Sequence, residues 1–209
     1  NSSVIANVTP LSHGSAKFAD VDGDGDMDLL ISGKNASNQS VTQLYIFNGT
    51  TYSASANSFD GIYQGNADFI DYDGDGDLDI FISGTAISKF YTNNGSASYT
   101  AANFPAIIPH KKGGFAFGNF RGTGATKDLF LTGITQSDDT TTHIYRYNGT
   151  EYVLVSDTLL GYASSKVKRF NLVPGSVEYV IVNGIETGNN ALVSVFVFDI
   201  SGYFGIATI

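Results

Sequence analysis

Residues Phe18–Gly33 read FADVDGDGDMDLLISG, and residues Phe69–Gly84 read FIDYDGDGDLDIFISG. Each stretch places five aspartates in nine positions and follows them at once with aliphatics. Carboxylates crowded this closely repel one another unless a positive charge sits among them. Numbered from Asp20, the side chains at positions 1, 3, 5 and 9 are Asp20, Asp22, Asp24 and Asp28, with Gly25 at position 6. The second stretch repeats them as Asp71, Asp73, Asp75 and Asp79, with Gly76 at position 6. Position 7, Asp26 or Asp77, is placed to offer its backbone carbonyl. Alternate carboxylates on a tight loop converge on one centre. An all-oxygen, multiply charged ligand set suits a hard cation, calcium ahead of magnesium. An EF-hand opens in the same way but needs a glutamate at position 12 and flanking helices. Position 12 here is Ile31 or Ile82, and the flanks alternate as strands do. The reading is two β-hairpin loops, each holding one calcium ion.

Outward from these loops the aliphatic ending recurs. LLISG ends at Gly33, IFISG at Gly84, LFLTG at Gly133 and VIVNG at Gly184, at spacings of 51, 49 and 51 residues. Each copy is preceded by an aromatic-bearing segment and followed by a second apolar run that closes in a turn: LYIFNG, FYTNNG, IYRYNG and VFVFDISG. Asn-Gly between apolar runs signals a hairpin, because its turn needs positive φ at both central residues. After the turn comes a further short strand, TYSASA, SYTAAN, EYVLVS or YFGIAT. Four short strands cannot bury a face alone, so neighbouring repeats must supply the rest of the core. A repeat of about fifty residues with four strands is the pattern of a β-propeller blade. The expected fold is therefore all-β, a single β-propeller domain over 1–209 with four blades. Its repeats are approximately 9–59, 60–108, 109–159 and 160–209, with an extra strand in 1–8. A larger ring containing these four blades, and a non-propeller stack, remain open at this point.

At these residues the chain resembles the FG-GAP/VCBS repeats of integrin-α-like propellers and of many secreted microbial proteins. The resemblance covers four units, with the diagnostic motif intact in the first two. It implies that the aspartate loops bind calcium and brace the blades. The third unit reads NFRGTGATKD, with Asn119 at position 1, Arg121 at position 3 and one extra residue before Asp128. A guanidinium there repels a cation and stands as an internal substitute for it. The fourth, NLVPGSVEY, keeps only Asn171, with Val173, Gly175 and Tyr179 at the other ligand positions. Two calcium sites are expected and no more.

Composition agrees with strands and turns: 15 Phe, 12 Tyr and 24 Gly against one Met and no Trp. The net charge of −9 argues against nucleic acid as a partner, which selects a basic surface. Half of the 20 acidic residues lie in the two loops, so the acidity is local. Cysteine is absent, which excludes disulfides and thiol chemistry. No apolar run is long enough to span a membrane. The chain starts at Asn1 without a signal region, as expected of a processed or excised segment.

Two apolar termini, Ser3–Val8 and Tyr203–Thr208, leave a four-bladed ring with one strand to spare. An unpaired strand is a sticky edge, so one terminus is expected to complete its own ring or the sheet of a next copy, head to tail. Seven Asn-x-Ser/Thr sequons occur, at Asn1, Asn7, Asn35, Asn38, Asn48, Asn94 and Asn148, of which Asn48, Asn94 and Asn148 begin repeat turns. The recurrent aromatics Phe18, Phe69, Phe117, Phe170, Tyr45, Tyr91, Tyr145 and Phe196 read as blade packing, with a sugar-stacking platform as the sharper alternative. His13, His110 and His143 stand far apart and receive no role. Neither a nucleophile elbow, a phosphate loop nor zinc spacing is present, so the chain is not read as an enzyme. The expected function is a secreted or cell-surface, calcium-stabilised structural or adhesion module. Its expected partners are further copies of itself, in a filament, or other extracellular proteins and glycans. A lectin-like carbohydrate-binding propeller is the alternative.

Overall fold

The computed structural model describes residues 7–120, 127–170, 177–186, 191–199 and 204–208, and no helix occurs among them. The strands form four antiparallel sheets, each running in chain order from its first strand to its fourth. The first holds β1 (Ala16–Ala19), β2 (Asp28–Lys34), β3 (Ser40–Phe47) and β4 (Tyr52–Ala54). The second holds β5 (Asn66–Ile70), β6 (Asp79–Gly84), β7 (Ile87–Asn93) and β8 (Tyr99–Ala101). The third comprises β9 (Lys111–Gly118), β10 (Asp128–Ile134), β11 (Thr140–Tyr147) and β12 (Tyr152–Leu160). The fourth comprises β13 (Tyr162–Phe170), β14 (Val177–Glu186), β15 (Ala191–Asp199) and β16 (Phe204–Thr208). The fold is thus all-β and of the β-propeller class, with four blades and one blade per repeat.

Two compact units divide the chain. Residues 1–71 and 75–109 form one, and residues 110–209 with 72–74 form the other. In the first unit Leu30 and Leu44 of the first blade pack with Ile80, Ile82 and Tyr91 of the second, around the fully buried Ile62. The opposite face of the first blade, Leu29, Ile31, Tyr45 and Tyr52, is covered by Val8, Leu11 and Phe47. Both faces of β2 are therefore buried, which is why its sequence is a continuous apolar run and not an alternation. In the second unit Phe130 and Ile144 pack with Val180, Val182, Phe196 and Phe198. Burying a side chain of this kind contributes about 1.5–3 kcal/mol.

One glycine in each of the first three blades has a steric reason that repeats. A Cβ on Gly14, Gly65 or Gly113 would lie 1.7, 2.0 or 1.9 Å from the carbonyl oxygen of Ser32, Ser83 or Thr132. The residue before each of these is left-handed, His13 at φ 56°, Gln64 at 52° and Lys112 at 51°, and the fourth blade repeats the kink at Ser164, 51°. The kink belongs to the frame of every blade.

One expectation changes, and one of the two termini finds its partner. Phe18 does not pack into its blade but is 59% exposed, whereas Tyr45, Tyr91, Tyr145 and Phe196 are buried as expected. Being on a short strand whose burial alternates, Phe18 falls on the open side. The C-terminal candidate for a spare strand is β16, which pairs with β15 from Ser194↔Thr208 to Phe198↔Phe204. The fourth blade thus completes itself with its own chain. Most of the N-terminal candidate, residues 3–6, lies outside the described residues; its end, Val8, packs on the first blade.

Candidate metal centre

The two aspartate loops are the β1–β2 and β5–β6 hairpin connections. In the first, Gly23 and Gly25 take φ values of 79° and 92°, a left-handed backbone that L side chains resist. That curl turns loop N–H groups onto the carboxylates. Gly23 N donates to Asp20 Oδ1 at 2.8 Å and Gly25 N to Asp20 Oδ2 at 2.9 Å. Asp24 N donates to Asp22 Oδ1 at 3.3 Å, and Asp26 N to Asp24 Oδ1 at 2.8 Å. Side chains held in this way converge: ligand oxygens of Asp20, Asp22 and Asp24 all lie within 4.8 Å of one another. The second loop has the same glycine geometry, with φ 83° at Gly74 and 97° at Gly76, and Asp77 N donates to Asp75 Oδ1 at 2.9 Å. There the converging set is Asp71, Asp73 and Asp79. Each carboxylate has acceptor capacity beyond the hydrogen bonds just given, and each set is all-oxygen and anionic. The residues present fit a hard divalent cation.

The predicted residues do not all behave alike. Asp26 and Asp77, at position 7, turn their carboxylates toward the glycine of the following Asn-Gly turn, 3.4 Å from the Cβ position of Gly49 and 3.7 Å from that of Gly95. Asp28 and Asp79, at position 9, are fully buried. Asp28 accepts Val21 N at 3.0 Å and Phe47 N at 2.8 Å, tying the start of the loop to the end of β3. Asp79 accepts Asn93 N at 2.8 Å in the same way. Burial pushes the Asp28 carboxyl above its ordinary pKa; the bonds from Phe47 and Val21 oppose the shift, and the charges of Asp22 and Asp24 add to it. A cation beside the loop would offset that repulsion.

The third blade separates frame from ligand set. Asp128 sits at the same strand position, is buried, and accepts Phe120 N at 3.0 Å. Its cationic neighbour is Arg146 on β11, with Nε 3.5 Å from Asp128 Oδ1. Arg121, expected to fill that role, lies outside the described residues, as do Asn171, Val173 and Gly175 of the fourth loop. A second repeated element is a tyrosine on the fourth strand of the blade. The hydroxyls of Tyr52, Tyr99 and Tyr152 donate to the carbonyls of Met27, Leu78 and Lys127, each the residue before the buried aspartate, at 2.9, 2.7 and 2.9 Å. The recurrence of tyrosine just after the Asn-Gly turns carried this signal in the sequence.

The histidines also depart from their reading. His110 and His143, 33 residues apart, are both buried, and His143 Nδ1 lies 3.1 Å from His110 Nε2. Thr141 Oγ1 stands 2.9 Å from His110 Nε2. His110 occupies the place that Leu11 and Ile62 fill in the first two blades, so a hydrogen-bonded pair replaces an aliphatic contact.

Residues 20–82 match the FG-GAP-like repeat family. That span begins at Asp20 and runs through both aspartate loops to Ile82. The match and the four-bladed fold together support an FG-GAP-type propeller. No curated protein matches the chain.

Proposed function

We propose, from an FG-GAP-type propeller as premise, that the chain is a secreted or cell-surface structural module whose first two blades are braced by one calcium ion each. The observation that carries this reading is the convergence of the carboxylates of Asp20, Asp22 and Asp24, repeated by Asp71, Asp73 and Asp79. Asp75 and the position-7 carbonyls complete the oxygen count that calcium favours. The ion would neutralise the loop and hold the β1–β2 and β5–β6 hairpins in register. Affinity in the range of extracellular modules, roughly 10⁻⁴–10⁻³ M, fills such sites only at millimolar calcium. Linkage then stabilises the fold by about 1 kcal/mol per site. The role is non-enzymatic, because carboxylates held ionised by a cation are poor general acids.

Self-assembly is part of this reading. β16 completes the fourth blade, so the strand left for a neighbouring copy is the N-terminal segment Ser3–Val8. The nine-residue β12 is the end strand of its sheet and exposes Val153 and Leu154, a suitable acceptor edge. In a eukaryotic secretory setting Asn48 and Asn148 are the sequons best placed for glycan. Both are exposed, and their Oδ1 atoms, not their amide nitrogens, cap the turns. Asn94 instead spends its Nδ2 on Thr92, Ser98 and Thr100.

Titration calorimetry of metal-stripped protein with calcium is expected to give two sites, together with a raised melting temperature. A melt unchanged between excess chelator and millimolar calcium removes the bracing role. Electron microscopy of native material, compared with a chain lacking residues 1–8, tests assembly: filaments are expected only with the intact N-terminus.

A further inference from the structure

At the opposite end of the first blade from its aspartate loop, a recess of about 290 Å³ opens between the β2–β3 turn and the segments leading into β1 and β5. We infer that this recess is a binding site for a small, hydroxyl-bearing carboxylate of the acidic-monosaccharide class, with Lys34 as its anchoring cation. Its lining, which includes His13, Lys34, Asn35, Asn38, Tyr63 and Gln64, contains no acidic residue. Lys34 Nζ lies 4.2 Å over the Tyr63 ring and donates to Asn38 Oδ1 at 2.8 Å. Among the described residues it forms no ion pair. The two contacts fix the ammonium and leave it with further donor capacity and uncompensated charge. The Asn38 amide stands beside it and Gln64 also lines the recess, and an amide both donates and accepts, as a sugar hydroxyl requires. Because the ammonium covers one face of Tyr63, recognition rests on charge and hydrogen bonds and not on sugar stacking.

The third blade shows that this chemistry is not part of the frame. Its β10–β11 turn has the same backbone bonds, Thr135 N to Asp139 O and Asp138 N to Thr135 O, matching Asn35 N to Gln39 O and Asn38 N to Asn35 O. There Asp138 pairs with Lys111 at 2.6 Å, so charge is neutralised internally. In the first blade the same two places are held by Asn38 and Ser12, and the cation has moved to position 34, where the third blade has Ile134. The acidic loop does not cancel it. Lys34 ends the seven-residue strand that Asp28 begins, about 20 Å away, beyond a Debye length of about 8 Å at physiological salt.

This inference stands apart from the calcium and assembly reading, and the test separates them by running in excess chelator and again with calcium. Nitrogen-15 labelled chain of verified unmodified mass, since Asn35 and Asn38 head sequons, is titrated with glucuronate, glucose and acetate. Glucuronate is expected to shift the amide signals of Lys34, Asn38 and Gln64 with millimolar affinity, and glucose and acetate to bind at least about tenfold more weakly. Lys34→Gln is expected to abolish the glucuronate response and Lys34→Arg to retain it, with spectral dispersion confirming both folds. Absence of local shifts, an equal response to glucose, or a response that survives Lys34→Gln overturns the carboxylate site. An equal response to acetate overturns the assignment to a sugar acid.

Discussion

Asp28 in the first blade and Asp128 in the third begin equivalent strands, and each accepts a hydrogen bond from a loop N–H about 3.0 Å away. Around them the charges are opposite. Asp28 faces the carboxylates of Asp22 and Asp24, whereas Asp128 has the guanidinium of Arg146 at 3.5 Å. The third blade therefore builds a positive charge into the chain, while the first two gather carboxylates, the sets proposed to hold calcium. The comparison assigns two jobs to one acidic motif. In the first blade the position-9 aspartate holds the hairpin to the third strand while the carboxylates ahead of it converge; in the second, Asp79 does both.

Replacing the frame aspartates should cost most. Asp28→Ala strips the acceptor from one buried and one part-buried N–H group, and a loss of about 3 kcal/mol in urea unfolding is expected, with Asp128→Ala comparable. A loss for Asp28→Ala that disappears in chelator would break the comparison by making Asp28 primarily a ligand. Next comes Arg146→Met, expected to cost about 1–2 kcal/mol and to do so equally with and without calcium, because its charge belongs to a blade for which no ion is proposed. Tyr52→Phe and Tyr152→Phe each remove one hydroxyl from a carbonyl and should each cost about 1 kcal/mol, the same in both blades. Asp22→Asn with Asp73→Asn should leave the melting temperature in chelator nearly unchanged while erasing the calcium-dependent rise, a few degrees for a domain of this size.

The smallest expected effect is a pH dependence away from the loops. Hydrogen bonds from Lys89 and Tyr91 hold the Asp60 carboxyl below its ordinary value of 3.8. A depressed folded-state pKa stabilises above 3.8, and that contribution is lost as the pH falls through the folded-state value. Asp60 is part-exposed, so the contribution is screened, and Asp60→Asn should slightly flatten the acid limb of the stability curve. An unaltered acid limb would show that the Lys89 pair adds nothing to folding.

Much of this was legible in the chain. The fifty-residue period, the Asn-Gly turns and the apolar runs specify four four-stranded blades, because strand periodicity and turn chemistry are local properties. The aspartate spacing likewise announces two loops of converging carboxylates. Less legible was the split between Asp28, which is buried and bonded to Val21 and Phe47, and its neighbours at the tip. A sequence records carboxylates, not which of them face backbone N–H groups from a strand nineteen residues on. Arg146, 18 residues beyond Asp128, was invisible for the same reason.

What the sequence determined by itself is the repeat, the all-β class and the presence of two acidic hairpins, since each depends on neighbours within one turn or one strand. Tertiary structure alone decided that β16 closes its own blade, that His110 meets His143, and that Lys34 stands over Tyr63 in a recess without acids. Those pairings join residues far apart in the chain. Only the registers of packed strands, fixed by which face each one buries, bring them together.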